Sequence, residues 1–402
     1  MKGHIRKRGK SWAVVFDLGR DASGKRRQKW HAVPGTRRDA QRELARLLNE
    51  MNTGAYVEPA RMTVSEFLDR WLADYAKPKV SPKTFERYQE MIDGHIRPAL
   101  GAYLLPKLAP LHIQSFYSRA LASGRKDGKG GLSAQSVVHF HRLLHKALAQ
   151  AVKWQLLARN PVDAVEPPRA ERKEMRALDE DETASLLSLL GESRLYMPTM
   201  LAVTTGLRRG EILGLRWDNV DLVAGTLTVV QSLEQTKGGL RLKTPKTHRS
   251  RRSIALLATT TAALRLHRAR QAEERLALGP AYDDEGFVCA RPGGAPWAPD
   301  VFSTAFAAFV RRSGLKQFRF HDLRHSHASH LLRAGVHPKI VSERLGHSTV
   351  SITLDTYSHV LPGMQEDAVR LLDVALATAV KKAKRRRREP SRDCCGLYDG
   401  DD

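Results

Sequence analysis

From Trp12 to Leu18 every second residue is large and apolar, so WAVVFDL puts Trp12, Val14, Phe16 and Leu18 on one face of a strand. The turn-rich GRDASG follows, then KRRQKWHAV, and together they predict a hairpin. Its second strand carries Lys25, Arg27, Lys29 and His31 on one side and Trp30 on the other. One face can then pack while the other meets phosphate, or the charges blunt a solvated edge. The period changes in TRRDAQRELARLLNEM, where Ala40, Leu44, Leu47 and Leu48 form a helical stripe behind Thr36 as cap. A first unit, 1–58, closes there.

The linker GAYVEPARM leads to Thr63 and Glu66, spaced as a capping box ahead of Phe67, Leu68, Trp71 and Leu72. SPKTFERYQEMI repeats the device, with Ser81 as cap and Pro82 in the first turn. Helical patterns over 110–122 and 134–157 flank the basic loop SGRKDGKGG, which reads equally as a DNA-tracking segment or a mobile loop. Residues 62–165 thus form a second, all-helical unit. After the proline-rich linker NPVDAVEPPRAERKEMRAL, a third unit over 172–380 is helical at 180–216, carries strand signals in TLTVVQ and SIAL within 226–256, and is helical again from 299. The fold class expected is mainly α with small β elements. Residues 381–402, KKAKRRRREPSRDCCGLYDGDD after a basic start, are too charged to pack and are expected to be disordered.

Charge narrows the function. The 402 residues include 67 Lys and Arg against 43 Asp and Glu, a net +24, which calls for a large anionic partner, nucleic acid or membrane. No apolar run approaches the roughly 18 residues that span a bilayer, and MKGHIRKRGK lacks the apolar stretch of a signal peptide. A soluble cytoplasmic protein without membrane contact is expected. Cys289, Cys394 and Cys395 make neither a disulfide framework nor a zinc pattern.

The densest chemistry lies in QFRFHDLRHSHASH, with His321, His325, His327 and His330 around Arg324. His321 and His325 have the i, i+4 spacing of a zinc helix, yet no glutamate stands in the HExxH position. Surface histidines remain the ordinary reading for His327 and His330. Further along, IVSERLGH sets His347 just past a helix end, and LDTYSHV contains Tyr357. Upstream, TTGLRRGEILGLRW puts Arg208 at the head of an amphipathic segment with Glu211 three positions on, and LKTPKTHRSRRSIAL offers Lys243 and Lys246 in a turn between strands.

The order TGLRRGE, PKTHRSRR, HDLRH, LGH and LDTYSHV resembles the tyrosine recombinase family, the phage-type integrases, across nearly all of residues 60–380. The resemblance implies an N-terminal β-hairpin and helix that binds arm-type DNA, a helical SAM-like core-binding domain and a mixed α/β catalytic domain. It implies that Tyr357 is the nucleophile and that Arg208 and Arg324 hold the phosphate. Glu211 would orient a neighbouring arginine or histidine, and His321 would be the base or orienting group for the tyrosine proton. His347 would bond the scissile phosphate, and Lys246, with Lys243 as runner-up, would be the general acid. The hairpin residues Lys25, Arg27 and Lys29 become DNA-binding candidates. Strand exchange then runs through a 3′-phosphotyrosine and a Holliday junction and integrates or excises a mobile element. Neither metal nor nucleotide cofactor is expected. Partners implied are double-stranded DNA attachment sites, a homotetramer on DNA, an excisionase or other directionality factor and a host DNA-bending protein. DAVRLLDVALATAV, 367–380, is similar in place to the C-terminal helix that relatives dock onto a neighbour, and KKAKRRRR reads as a DNA anchor rather than a nuclear import signal, in a bacterial, nucleoid-associated protein. A type IB topoisomerase and a non-catalytic DNA-binding protein are the competing classes.

Overall fold

A computed structural model describes residues 3–9, 11–20, 24, 26–52, 61–171, 176–244, 251–357 and 364–388. The chain divides into two compact units, Met1–Lys173 and Glu174–Asp402. Mainly helical structure with small sheets runs through both.

The first unit begins with strands β1 (Gly3–Arg8), β2 (Ser11–Arg20) and β3 (Arg26–Val33), followed by helix α1 (Arg37–Asn52). The expected hairpin is therefore a three-stranded antiparallel sheet in the order β1-β2-β3. Its extra strand hides in the sequence because GHIRKR is nearly all charged or small, as an exposed edge strand should be. Thr36 caps α1 reciprocally, its hydroxyl accepting from the Asp39 amide while the Asp39 carboxylate accepts from the Thr36 amide. Ala40 and Leu47 meet Val14, Phe16 and Val33, with Ile5, Trp12 and Leu44 at the margin.

The faces of this sheet are reversed from expectation. Lys29 pairs with Phe16 and His31 with Val14, so both stand on the side covered by α1, where His31 lies 3.5 Å from Glu43. Trp30, paired with Val15, stands on the opposite face, 50% exposed, beneath the guanidinium of Arg6. Phe16 and Val33 need the helix, and register carries Lys29 and His31 with them. Lys25 and the side chains of Leu18 and Arg27 lie outside the described residues.

Next come α2 (Val64–Trp71), α3 (Lys77–Lys79), α4 (Pro82–Met91), α5 (Arg97–Leu100), α6 (Pro110–Ser123) and α7 (Ala134–Lys153). Thr63 and Glu66 form the expected capping box. Ser81 does not repeat it: its hydroxyl pairs with that of Thr84 instead of capping an amide. Wide π-turns over Leu72–Ala76 and Ile92–Ile96 join α2 to α3 and α4 to α5. Each precedes a proline, Pro78 or Pro98, and the widened turn makes room for a ring that would clash with the carbonyl four residues back. Phe67, Leu68, Trp71, Ile92, Ile96, Leu144 and Leu148 lie in the buried core. The basic loop is organised by its own Arg125–Asp127 pair at 2.6 Å.

The second unit contains α8 (Glu180–Leu190), α9 (Tyr196–Thr205) and α10 (Arg209–Leu213), three helices where the sequence period suggested one stretch. Strands β4 (Val220–Asp221), β5 (Thr226–Val229), β6 (Ser232–Thr236), β7 (Gly239–Lys243) and β8 (Arg252–Ala255) make an antiparallel sheet β4-β5-β8 and a hairpin β6-β7. Then follow α11 (Ala258–Leu278), α12 (Pro299–Arg312), α13 (Asp322–Arg333), α14 (Pro338–Leu345), α15 (Val350–Tyr357) and α16 (Met364–Arg388). Residues 381–388, expected to be disordered, instead continue α16, because lysine, arginine and alanine are good helix formers that need no packing to extend a helix already begun; 389–402 lie outside the described residues. Leu201, Ile212, Leu227, Phe302, Phe306 and Leu323 build the main core, and Ala328, Leu332, Val341, Leu345 and Tyr357 a smaller one. Among the described residues no helix is long and apolar enough to cross a membrane.

Candidate active site

Two helices of the second unit, α9 and α14, end on left-handed glycines, Gly206 (φ +67°) and Gly346 (φ +67°). In α14 this end is a Schellman motif: the Gly346 amide donates to Glu343 O and the His347 amide to Ser342 O, both at 3.0 Å. The carbonyls beyond the motif then need donors from elsewhere. Three consecutive ones receive one arginine each. Arg252 Nε donates to Arg344 O at 2.8 Å, Arg324 Nη2 to Leu345 O at 2.8 Å and Arg208 Nη2 to Gly346 O at 3.0 Å. Arg324 also reaches the other helix end, Nη1 donating to Gly206 O at 2.6 Å.

Helix C-termini carry roughly half a negative charge each, which favours cations there. The remaining compensation comes from Glu211 on α10. Its carboxylate accepts from Arg208 Nη1 at 2.9 Å and from both terminal nitrogens of Arg252, at 3.2 and 2.8 Å. Burial alone would raise the Glu211 pKa, but the hydrogen bond and charge of Arg252 and the charge of Arg208 outweigh it and hold it below its ordinary value. Arg324 is only 3% exposed; burial, then repulsion from Arg208, pulls its pKa down. Its guanidinium still stays charged, since arginine does not deprotonate in proteins. The result is a cluster of fixed donors with surplus positive charge, suited to an anion.

Tyr357 closes α15 and is 2% exposed. Its hydroxyl lies 2.6 Å from His325 Nδ1. Burial raises the phenol to about 12, slightly opposed by Arg324, while burial and the charge of His321 lower His325 to about 4. The phenol therefore donates and the neutral imidazole accepts. His321, just ahead of α13, is exposed, with its ring 5.1 Å from that of His325. The contact to the tyrosine expected of His321 thus belongs to His325. One helical turn separates the two, and the approach of α15 decides which of them meets Tyr357. His347 Nδ1 lies 2.8 Å from Thr353 Oγ1, and burial with Arg324 lowers it to about 4.

Of the residues singled out in the sequence, Arg208 and Arg324 are joined by hydrogen bonds to the two helix ends, and Glu211 is joined to Arg208. His347 follows the α14 end directly, and Tyr357 is joined to the cluster's neighbour His325. Lys246 lies outside the described residues. Lys243, the runner-up, pairs with Glu234 at 3.2 Å. Sequence reasoning missed Arg252, Arg344, His325 and His327 as parts of the assembly. His327 is no surface histidine: it is buried, with Nδ1 donating to Val203 O at 2.9 Å and Nε2 accepting from Arg344 Nε at 3.1 Å. Arg344, in the last turn of a helix, carried a signal, since cations favour that position. His325 and His327 stood in the histidine cluster noted in the sequence, but their partners lie far along the chain, and Arg252 left no signal. No group of three or more metal-ligating side chains occurs among the described residues.

Comparison with known proteins agrees with this architecture. Residues 176–363 match the phage integrase family and residues 63–121 match the phage integrase N-terminal SAM-like domain. The chain is 29% identical over 387 residues to a tyrosine recombinase XerC-like protein of Caldanaerobacter subterraneus subsp. tengcongensis, covering 91% of this chain and 97% of that one. It is 28% identical to the ICEBs1 integrase of Bacillus subtilis, covering 90% and 96%. In fold it is similar to the Tn1549 transposon integrase, solved with circular intermediate DNA, at a TM-score of 0.64 and 20% identity over 77% of this chain and 99% of that one. It is also similar to a lambda integrase dimer bound to a core site, at 0.54 and 20% over 89% and 94%. From its ordered motifs, its relatives and its fold, the chain belongs to the phage integrase family of tyrosine recombinases, enzymes that cleave and rejoin DNA in the site-specific recombination of mobile elements.

Proposed function

We propose that this integrase cuts DNA by attack of Tyr357 on a phosphate gripped by Arg208 and Arg324, with His325 as first acceptor of the phenolic proton. The observation that carries it is the 2.6 Å bond between the Tyr357 hydroxyl and His325 beside Arg324. Affinities of about 12 and about 4 are too far apart for a free phenolate to form beforehand. The proton moves to His325 as the Tyr357 oxygen bonds to phosphorus. The bond from phosphorus to the 5′ oxygen breaks, and that oxygen leaves as a 5′-hydroxyl with a proton from the general acid, for which Lys246 is the candidate and Lys243 the runner-up. A 5′-hydroxyl of the partner strand reverses these steps and rejoins the DNA.

Charge accumulates on the nonbridging oxygens in this attack, so preorganised arginine forks are worth most there. Arg252 and Glu211 hold Arg208 in place. His347, with Nδ1 engaged by the Thr353 hydroxyl, has Nε2–H to offer a phosphate oxygen, and exposed His321 serves the same phosphate. The DNA contacts of the first unit fall to the sheet face bearing Arg6 and Trp30, away from α1, rather than to Lys29; Lys25 and Arg27 remain candidates. The partners are attachment-site DNA and further copies of the chain, as a tetramer through a Holliday junction, with a directionality factor and a DNA-bending host protein controlling direction.

The test is a covalent adduct. Nicked suicide duplex carrying the element's end should trap wild-type protein on denaturing gels, and Tyr357→Phe should bind the same DNA without trapping. Bound DNA that never yields an adduct with wild type would sink the reading. Relaxation of plasmid without any site preference would point to a topoisomerase.

A further inference from the structure

We infer that Arg344 is a positioning residue for this reaction, setting the catalytic arginines through the end of α14; the inference rests on the chemistry proposed above. Arg208, Arg252 and Arg324 each take their direction from one carbonyl of the stretch Arg344–Gly346. Wherever that helix end goes, three guanidinium groups follow. What holds it is the Arg344 side chain. Nε donates to His327 Nε2 on α13 at 3.1 Å, and Nη2 donates to Thr204 O at the end of α9 and to Ala255 O on β8, each at 3.0 Å.

The bond directions are fixed by chemistry. Val203 O can only accept, so His327 Nδ1 carries the hydrogen, and neutral Nε2 is left as the acceptor that Arg344 needs. Arg344 thereby ties α13, α9 and β8 to the helix whose terminal carbonyls the arginines bind, and it does so with carbonyls and an imidazole as its acceptors. A half-buried guanidinium held this way costs desolvation, and a fold in need only of apolar contact would not require it. Its planar fork reaches three acceptors from two nitrogens in fixed geometry, where lysine would offer only one nitrogen. Arg344 touches no reacting atom in this arrangement. It acts by keeping Arg324 between Gly206 O and Leu345 O and Arg208 against Gly346 O.

Arg344→Met and, separately, His327→Phe remove the two sides of this lock. Single-turnover adduct formation on nicked suicide duplex, followed against protein concentration, gives a ceiling rate and a half-saturating concentration. A misplacement near 1 Å can cost about a hundredfold in rate, so Arg344→Met should lower the ceiling about 30- to 100-fold. His327→Phe should lower it in the same sense, and half-saturation should stay within about twofold in both. A side chain that served folding alone would behave oppositely: less protein would be active, half-saturation would rise and the ceiling would persist. That pattern, or a ceiling within about threefold of wild type in both variants, overturns the inference. Wild-type protein that binds the duplex and forms no adduct overturns the underlying reaction and this inference with it.

Discussion

His325, His347 and His327 sit close together in the fold of the second unit, and all three are kept neutral, at about 4, about 4 and about 3. Burial is the main cause in each, with His321, Arg324 and Arg344 respectively adding repulsion. Above pH 6.5, the ordinary imidazole value, neither the folded nor the unfolded chain protonates these positions, and they do not affect stability. As pH falls from 6.5 to about 4 the unfolded chain binds protons that the folded chain refuses, so stability drops, and below about 4 the loss levels off as His325 and His347 protonate. Each histidine contributes at most about 1.4 kcal/mol per pH unit, and the partial exposure of His325 and His347 brings their share lower. Tm measured between pH 7.5 and 4.5 should therefore decline steadily, and His325→Gln, which cannot take the proton, should flatten the decline. An identical slope in that variant would mean that His325 titrates normally in the fold. Activity should hold through most of this window and fall only as pH nears about 4, where folded His325 protonates and no longer accepts from Tyr357.

The helix end is where element and chemistry meet. Gly346 holds φ +67°, which costs an L side chain about 1–2 kcal/mol, and an added Cβ would lie 2.9 Å from Arg252 Nη1 and 3.1 Å from its Cζ. Gly335 has a similar φ of +77° with nothing within 4 Å of its Cβ position. Gly335→Ala should lose about 1–2 kcal/mol and Gly346→Ala more than that, since it also disturbs the buried Arg252–Glu211 pair, both read as the shift of the denaturant midpoint. Gly346→Ala alone should also cut the adduct rate at saturating protein, because it pushes Arg252 off Glu211; equal rates in the two variants would detach Arg252 from the reaction. At this scale much could be read from the sequence. The stripes of α1 and α2, the Thr63–Glu66 cap and the glycine of LGH as a helix end follow from local rules, and the ordered motifs pointed to Arg208, Glu211, Arg324, His347 and Tyr357. What could not be read was set by distance. β1 is hidden because an exposed edge strand needs no apolar stripe, the faces of β3 were reversed because Phe16 and Val33 fix the register, and π-turns accommodate Pro78 and Pro98 where local rules predict breaks. Arg252, Arg344 and His327 bond to carbonyls and a carboxylate 41 to 140 residues away, and no periodicity records that.

At the scale of the molecule, α16 is a helix of 25 residues that presents Val369, Leu372, Leu376 and Val380 to solvent, each between 50 and 67% exposed. Spaced three and four apart, they make one apolar stripe, followed directly by the basic stretch KKAKRRRR. A stripe of this length left bare suits a docking face, and under the tetramer proposed above its expected occupant is a second copy bound on the same DNA. Charge and stripe can be tested apart. Leu372→Ser with Leu376→Ser leaves every basic residue in place, so binding to a single half-site and its salt dependence should stay as in wild type. Burying a leucine contributes about 1.5–3 kcal/mol, so the pair should weaken pairing between protomers by tenfold or more, seen as loss of the synaptic species on native gels while half-site complexes persist. Deleting residues 365–402 should abolish synapsis too, and should additionally reduce the salt slope of half-site binding because the basic stretch goes with the helix. Synapsis at wild-type levels in the double serine variant would show that the stripe meets no neighbour, and the assembly would then have to be built from other surfaces of the chain.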